Sequence, residues 1–459
     1  MNWQVAIVNK DKKKIIVGMG KSGISSAKFL LKKGFKIAVF DSAPEKIMAN
    51  EDIKDILRIS GAEGIYGENA GDEVFEDSDL VVLSPGVPLD NEIVKRAKAH
   101  GLKIIGEVEL AYMYSKGKFL GITGTNGKTT TTTLVHEIFK NSDIQPFLGG
   151  NIGNPIVDFI EDVKEKDYVI AELSSFQLET IENFRAEIAV ILNITPDHID
   201  RHKTMESYID AKKNIYKNSM SEDILVLNKD DEVVCKMAED ARCKVVFFSL
   251  EERLDEGAYL KDGSLVVSKG GSTFHIIHKN DLKIPGMHNV ENALAASAAA
   301  FYAGIDPKLI GKVLMEFKGV EHRLEFVRNI DGVDYYNDSK GTNTDAGIIA
   351  LKAIDAPVIL IAGGYDKKAD FSDWIDKFKQ KAKKVFLIGE TADQIMSQAL
   401  ESGYDSVEKC VDLKEAVEKA RESARQGDAV LLSPACASWD MFKSYEERGQ
   451  IFKELVNSL

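Results

Sequence analysis

From Phe119 to Thr130 the sequence reads Phe-Leu-Gly-Ile-Thr-Gly-Thr-Asn-Gly-Lys-Thr-Thr. An apolar run leads into a glycine-rich turn, and a hydroxyl-rich helical pattern follows. Few folds accept that order. Gly124 and Gly127 let the chain turn its backbone amides toward a polyphosphate, and the N-terminus of the next helix adds the positive end of its dipole. Lys128 is placed to neutralise β- and γ-phosphates, and the Thr129 hydroxyl suits Mg²⁺. Gly124, Thr125, Asn126, Gly127, Lys128, Thr129 and Thr130 are therefore candidates for holding ATP. The spacing departs from G-x-x-x-x-G-K-[ST], because Ile122 holds the first glycine position. An ordinary strand–helix turn with a solvated lysine is the bland alternative, and it leaves the Gly-Lys-Thr-Thr run after an apolar strand unaccounted for.

The rest of the chain repeats this grammar. Short Val/Ile-rich runs alternate with helical patterns throughout, which predicts an α/β protein of mostly parallel sheets flanked by helices. Strands are expected at Lys14–Val17, Lys36–Phe40, Asp79–Leu83, Phe119–Ile122, Tyr168–Glu172, Ile188–Ile194, Ile224–Asn228 and Lys244–Ser249. A hairpin insert is expected over Tyr259–Ile284. Further strands are read at Val333–Tyr336, Val358–Ala362, Lys384–Ile388 and Ala429–Leu432. Helices are expected at Glu107–Lys118 and Asn289–Ala303, with a linker over Gly319–Glu325. A chain of 459 residues is long enough for about three domains, and the pattern divides as 1–112, 113–318 and 319–459.

Charge narrows the ligands. With 59 Lys+Arg against 73 Asp+Glu the net charge is −14, so long-range repulsion makes nucleic acid and anionic membrane poor partners, and neither is expected. Anionic small molecules must be held by local amides, metals and a few placed cations. Cys235, Cys243, Cys410 and Cys436 form no CxxC pair, which fits a reducing cytoplasm. No secretory leader pattern is visible, and the longest mostly apolar stretch, Ala293 to Gly304, is too short to span a bilayer. A cytoplasmic monomer acting on small molecules is the expectation.

Two further sets of residues carry chemistry. Glu172 closes one expected strand and so faces the crevice where open α/β sheets bind ligands. His198 follows the next strand, in Asn193-Ile-Thr-Pro-Asp-His-Ile-Asp-Arg-His202. Taken alone it reads as a solvated loop histidine, but beside a phosphate loop and Glu172 it becomes a ligand candidate. Near the N-terminus, Gly18-Met-Gly-Lys-Ser-Gly23 follows a strand and opens a helix, and Asp41 ends the next strand. That is a dinucleotide (Rossmann) fingerprint, for which NAD is the default ligand. A hydride-transfer reading leaves the ATP loop idle, so no NAD is expected. A nucleotide switch that only hydrolyses would use that loop but leaves the other two domains without a task.

The loop Thr123-Gly-Thr-Asn-Gly-Lys-Thr-Thr130 resembles that of the Mur ligase superfamily, whose ATP loop takes the form T-G-T-N-G-K-[ST]-[ST], with the same variant spacing. The resemblance extends over essentially the whole chain. It implies three domains: a Rossmann-like one for a UDP-linked substrate, a P-loop-type one for ATP, and a Rossmann-like one for an amino acid. It implies that Lys212 reacts with CO₂ to give a carbamate, and that two Mg²⁺ ions are held by Thr129 with Glu172 and by His198 with modified Lys212. Lys128, Glu172, His198 and Lys212 become the catalytic set. Gly20, Lys21, Ser22 and Asp41 would hold the UDP part, and Asn151, Ser174 and Gln177 the muramoyl and peptide part. Asn292 would read adenine, Arg323 the γ-phosphate, Asp338 the ribose, and Lys340 would lie near phosphate.

The C-terminal run Ser433-Pro-Ala-Cys-Ala-Ser438, followed by Phe442 and Glu446-Glu-Arg-Gly449, is similar to that of the superfamily's D-glutamate-adding members, and no Asp-Asn-Pro-Arg motif of the diaminopimelate-adding branch occurs. By that resemblance Thr342 with Lys367 takes one carboxylate of D-glutamate, and Ser438 with the Tyr445 amide takes the other. Two positions depart from the pattern: Tyr445 stands where phenylalanine is common, and Tyr365-Asp366 interrupts the glycine loop before Lys367. The implied reaction is ATP-driven amide formation between UDP-N-acetylmuramoyl-L-alanine and D-glutamate through an acyl phosphate. A folylpolyglutamate synthase-like ligase would share the ATP motifs but not the Gly18–Gly23 domain.

Overall fold

The computed structural model describes every residue except 1–8, 44–49, 60, 68–70 and 367–368. Among the described residues three sheets form. The first contains β1 (Lys13–Val17), β2 (Ile37–Phe40), β3 (Ala62–Tyr66), β4 (Ser78–Leu83) and β5 (Lys103–Gly106), ordered β3-β2-β1-β4-β5 and parallel throughout. Its order reverses between β1 and β4, the topological switch at which such sheets open a ligand crevice.

The second sheet contains β6 (Lys118–Thr123), β7 (Pro146–Gly150), β8 (Tyr168–Glu172), β9 (Ile188–Ile191), β10 (Ile224–Asn228), β11 (Lys244–Ser249), β12 (Gly257–Lys261), β13 (Ser264–Lys269) and β14 (Ser272–His278). Its order is β14-β13-β12-β11-β10-β9-β6-β8-β7. The expected hairpin insert thus extends this sheet at one edge, with β12 and β13 antiparallel. In the third sheet, β15 (Glu325–Ile330), β16 (Val333–Asn337), β17 (Val358–Ala362), β18 (Ala382–Leu387), β19 (Val407–Lys409) and β20 (Ala429–Leu432) run β15-β16-β20-β17-β18-β19. Only β15 is antiparallel to its neighbour there.

These sheets fall into two compact units, 1–276 with 293–313, and 277–292 with 314–459. The first unit holds two sheets because one apolar cluster spans them, from Ile16, Leu30 and Val82 through Val108 and Ala111 to Phe119, Val169 and Ile191. Helix Glu107–Tyr114 is the join. Buried Glu109 accepts N–H groups from Glu182, Asn183 and Phe184 at 2.8–2.9 Å. Glu107 accepts the Val157 amide at 2.8 Å, and complete burial pushes its carboxyl up to about 7. That helix ends at Tyr114 rather than running to Lys118; a side chain at Gly117 would stand 2.5 Å from Val163 Cγ1, and Lys118 already begins β6.

Candidate active site

The phosphate loop folds as its residues require. Gly124 (φ 153°) and Gly127 (φ 82°) occupy backbone regions that other residues rarely adopt, and Gly127 precedes helix Lys128–Lys140 in a left-handed conformation. Five consecutive threonines make a poor helix start on propensity alone. Their hydroxyls compensate locally: Thr132 donates to the Lys128 carbonyl and Thr133 to that of Thr129, both at 2.8 Å. Thr129 and Thr130 are buried in the first turn. The Lys128 ammonium folds back on its own loop, donating to the carbonyls of Gly124 (2.9 Å) and Thr125 (2.7 Å).

Asn193 fixes the shape of this turn, and sequence reasoning did not single it out. Its Oδ1 accepts the Asn126 amide at 2.8 Å, its Nδ2 donates to the Asn126 carbonyl at 3.2 Å, and its own carbonyl takes the Thr125 amide at 2.9 Å. Thr125 Oγ1 lies 3.1 Å from Tyr208 Oη and donates to the Thr195 carbonyl at the same distance. The only cue in the chain is an asparagine placed where a strand would end.

Two side chains stand under the loop. Glu172 pairs in register with Ile122 on β6 and is 2 % exposed. Its Oε1 accepts the Asn151 amide side chain at 2.8 Å, whereas its Oε2 is buried with no hydrogen-bond partner in the protein. A buried carboxylate oxygen without a donor is costly, and a divalent cation is the partner that such an oxygen suits. Lys212, 1 % exposed on helix Met205–Lys213, donates to the Gly124 carbonyl at 2.7 Å, and its Nζ lies 4.7 Å from the Tyr208 ring centroid. Burial first, and the Lys128 charge second, hold this amine well below the ordinary lysine range, while Asp197 and Glu172 pull it upward. Burial thus favours the neutral amine, the form that adds CO₂.

His198 lies on the adjoining turn. It caps the single-turn helix Ile199–His202 in a left-handed conformation, and its half-exposed ring packs on Phe176 with centroids 4.8 Å apart. Among the described residues, no three His, Cys, Asp or Glu side chains gather into a preformed metal cage. Ser174 and Gln177 form a reciprocal capping box, Gln177 N–H to Ser174 Oγ (3.2 Å) and Ser174 N–H to Gln177 Oε1 (3.0 Å). Their first task is thus to set the helix beside Glu172.

The Gly18–Gly23 turn also has a built crevice. A Cβ on Gly23 would stand 2.0 Å from the Gly18 carbonyl, so only glycine permits this contact of helix and loop. Gly20 precedes helix Lys21–Lys32 and gives it no side-chain cap. Asp41 accepts the Met19 amide (2.8 Å) and the Ala43 amide (3.0 Å). Around it lies a cavity of about 160 Å³ whose walls include Gly18, Asp41, Gly86 and Val87, at the β1/β4 switch. Lys21 donates to the Gly153 carbonyl at 2.6 Å, on the loop that follows β7.

In the second unit, Arg323 sits between two non-glycine residues in the left-handed region, His322 (φ 62°) and Leu324 (φ 42°), and its Nε is buried without a partner. Its charge reaches Asp338 and His288. Full burial pushes Asp338 up to about 6 against the pull of Arg323, and the carboxylate accepts Leu324 N–H (3.2 Å) and Ser433 Oγ–H (2.9 Å). His288 is held at about 4 by burial and by Arg323. Asn292 donates to Asn289 Oδ1 at 3.2 Å, inside helix Met287–Tyr302. The Lys340 ammonium lies 5.6 Å from the Tyr445 ring centroid. Thr342 is half-buried, Ser438 is buried, and Tyr445 begins helix Tyr445–Ser458. Lys367 lies outside the described residues. Buried Arg448, part of the Glu446–Gly449 motif but given no role there, donates to the carbonyls of Ser339 (2.8 Å) and Cys436 (3.1 Å), and so joins the Asp338–Thr342 and Ser433–Ser438 segments.

An ATP-type loop over a buried carboxylate and lysine, with a Rossmann-like crevice before it and a third, mostly parallel sheet after it in the chain, defines a class. The chain belongs to the Mur ligase family: residues 12–106 match the Mur ligase MurD-like N-terminal domain, 122–300 the Mur ligase middle domain and 322–436 the Mur ligase glutamate ligase domain. Within the family it is similar to proteins named UDP-N-acetylmuramoylalanine–D-glutamate ligase. That of Thermoanaerobacter sp. (strain X514) is 48% identical over 98% of this chain and 99% of its own. That of Caldanaerobacter subterraneus subsp. tengcongensis is 47% identical over the same shares. Among solved structures, the UDP-N-acetylmuramate-alanine ligase of Thermotoga maritima shares the fold, with a TM-score of 0.60 and 21% identity over 97% of this chain and 99% of that one.

Proposed function

We propose that the chain uses ATP to join D-glutamate to UDP-N-acetylmuramoyl-L-alanine, a step in building peptidoglycan precursors, and that it does so as a cytoplasmic monomer. The relatives' shared name supports the substrates. One observation carries the chemistry: Lys128, Lys212 and buried Glu172 converge on a single glycine-rich turn. In the proposed reaction a carboxylate oxygen of the acid attacks the γ-phosphorus and ADP leaves. The amine of D-glutamate then attacks the acyl carbon, loses a proton, and phosphate departs. Lys128 exchanges its loop carbonyls for phosphate oxygens, and Arg323 counters charge on the transferred group.

Thr129 with Glu172 would hold one Mg²⁺, and His198 with carbamylated Lys212 the other; bound there, they supply charge compensation for phosphoryl transfer. The carbamate forms when the unprotonated Lys212 nitrogen adds CO₂ and releases a proton. Gly20, Lys21, Ser22 and Asp41 take the nucleotide, and Asn151, Ser174 and Gln177 the acid's remaining part. Asn292, Asp338 and Lys340 serve ATP. Thr342, Lys367, Ser438 and the Tyr445 amide serve D-glutamate. We read the chain as divided for these tasks at 1–112, 113–318 and 319–459.

The test is ADP formation with UDP-N-acetylmuramoyl-L-alanine against a panel of amino acids. D-Glutamate should stimulate ADP release well above every other amino acid. Equal rates with and without it would overturn the substrate assignment.

A further inference from the structure

The helix Ile199–His202 is a single turn bracketed by two non-glycine residues in the left-handed region, His198 (φ 55°) and Lys203 (φ 70°). One turn has no helical stability of its own, and sparsely populated backbone states persist only where surrounding contacts enforce them. Arg201 supplies those contacts. Its Nη2 donates to the Val87 carbonyl at 3.0 Å and to Glu179 Oε2 at 3.3 Å, and its Nη1 donates to the Gly86 carbonyl at 3.4 Å. Its guanidinium lies 4.5 Å from the Phe176 ring centroid, the ring on which His198 also packs. Glu179 Oε1 in turn stands 3.3 Å from His202 Nδ1, and His202 Nε2 lies 2.9 Å from Ser175 Oγ.

Gly86 and Val87 are walls of the cavity at the β1/β4 switch. Carried on the turn that aims His198, one guanidinium therefore touches the wall of that cavity. We infer that Arg201 is a positioning residue coupling the two: a ligand that fixes the Gly86–Val87 carbonyls also fixes the turn bearing His198, and so favours Mg²⁺–nucleotide at the phosphate loop. This rests on the proposed roles of the cavity and of His198. Coupling of this kind is reciprocal, so it can be read from either ligand.

The experiment measures the Kd of UDP-N-acetylmuramoyl-L-alanine by calorimetry, with and without Mg²⁺ and a non-hydrolysable ATP analogue. Wild type, Arg201→Met and Arg201→Lys are compared. The wild type should bind about fivefold or more tighter with the analogue present, the lower end of usual coupling. In Arg201→Met that ratio should collapse toward one while affinity without the analogue changes little, and Arg201→Lys should restore part of it. A wild-type ratio retained in Arg201→Met would overturn the inference. So would a ratio of one in the wild type. If the wild type binds the acid in neither condition, the substrate reading itself fails and takes this inference with it. Should Arg201→Met not fold, Glu179→Gln, which weakens the hold on Arg201 without removing bulk, is expected to lower the ratio; an unchanged ratio there counts against the coupling.

Discussion

The first unit contains two glycine-rich strand–turn–helix loops written in nearly the same grammar, Gly18–Gly23 and Gly124–Thr130, and they differ in where charge points. In the first, a carboxylate faces the turn: Asp41 holds the Met19 and Ala43 amides, while the Lys21 ammonium reaches away to the Gly153 carbonyl. In the second, a cation faces the turn: Lys128 folds onto the loop carbonyls, with Lys212 below it on the Gly124 carbonyl and Glu172 alongside. Glycine spacing makes room for phosphate in either case. On the proposed reading, the sign of the group facing the turn would separate a pocket for the sugar or base end of a nucleotide from one for a triphosphate.

That contrast breaks first at Lys128. Lys128→Ala should lower ADP release about a thousandfold, roughly 4 kcal/mol of transition-state stabilisation, with an unchanged circular dichroism spectrum; near-normal turnover would erase the distinction between the loops. Lys212→Met should lose activity about a hundredfold or more, yet melt no earlier than wild type, because it removes a buried amine that makes no ion pair among the described residues. A large drop in melting temperature would show Lys212 to be structural instead.

On the other side of the comparison, Asp41→Asn should raise KM for UDP-N-acetylmuramoyl-L-alanine about tenfold, the usual worth of a charge-assisted hydrogen bond, and leave KM for ATP alone; equal effects on both would mean the two loops are not separate pockets. The smallest effect concerns the join between them. Glu107 is pushed up to about 7 from an ordinary 4.5. The folded state thus keeps its proton longer than the unfolded state does, and this group's contribution is fully present below about pH 4.5 and lost as pH rises through 7. Glu107→Gln should flatten the fall in melting temperature between pH 5 and 8, a change of about 1–3 kcal/mol. An unaltered slope would show that Glu107 does not titrate there.

How much of this was legible in the chain depends on what each residue packs against. Tyr168–Glu172, Ile224–Asn228, Val358–Ala362 and Ala429–Leu432 form strands on the residues their apolar runs mark, because those strands are buried on both faces or nearly so. Pro146–Gly150 gave no such signal: a proline and two glycines suit an edge strand, which is where β7 lies. Glu325–Ile330 alternates exposed and half-buried residues at the other sheet's edge. The apolar run Ile188–Ile194 outlasts its strand, which ends at Ile191, and Asn193 turns instead to hold Asn126. The loop residues were readable since their spacing is their chemistry. Asn193, Arg201 and Arg448 were not, because each acts on backbone 67, 114 and 109 residues away respectively, and nothing local marks such a partner.

Glu172 has one more consequence. Its second carboxylate oxygen is buried without a donor, so the protein by itself holds a group that costs stability and serves no packing purpose. Anything that satisfies that oxygen shifts the folding equilibrium by mass action. The chain's resistance to heat and proteases should then rise and fall with its nucleotide supply. A search for more stable variants would be drawn to replace Glu172 with a leucine or methionine, gaining shelf life by removing the proposed Mg²⁺ ligand.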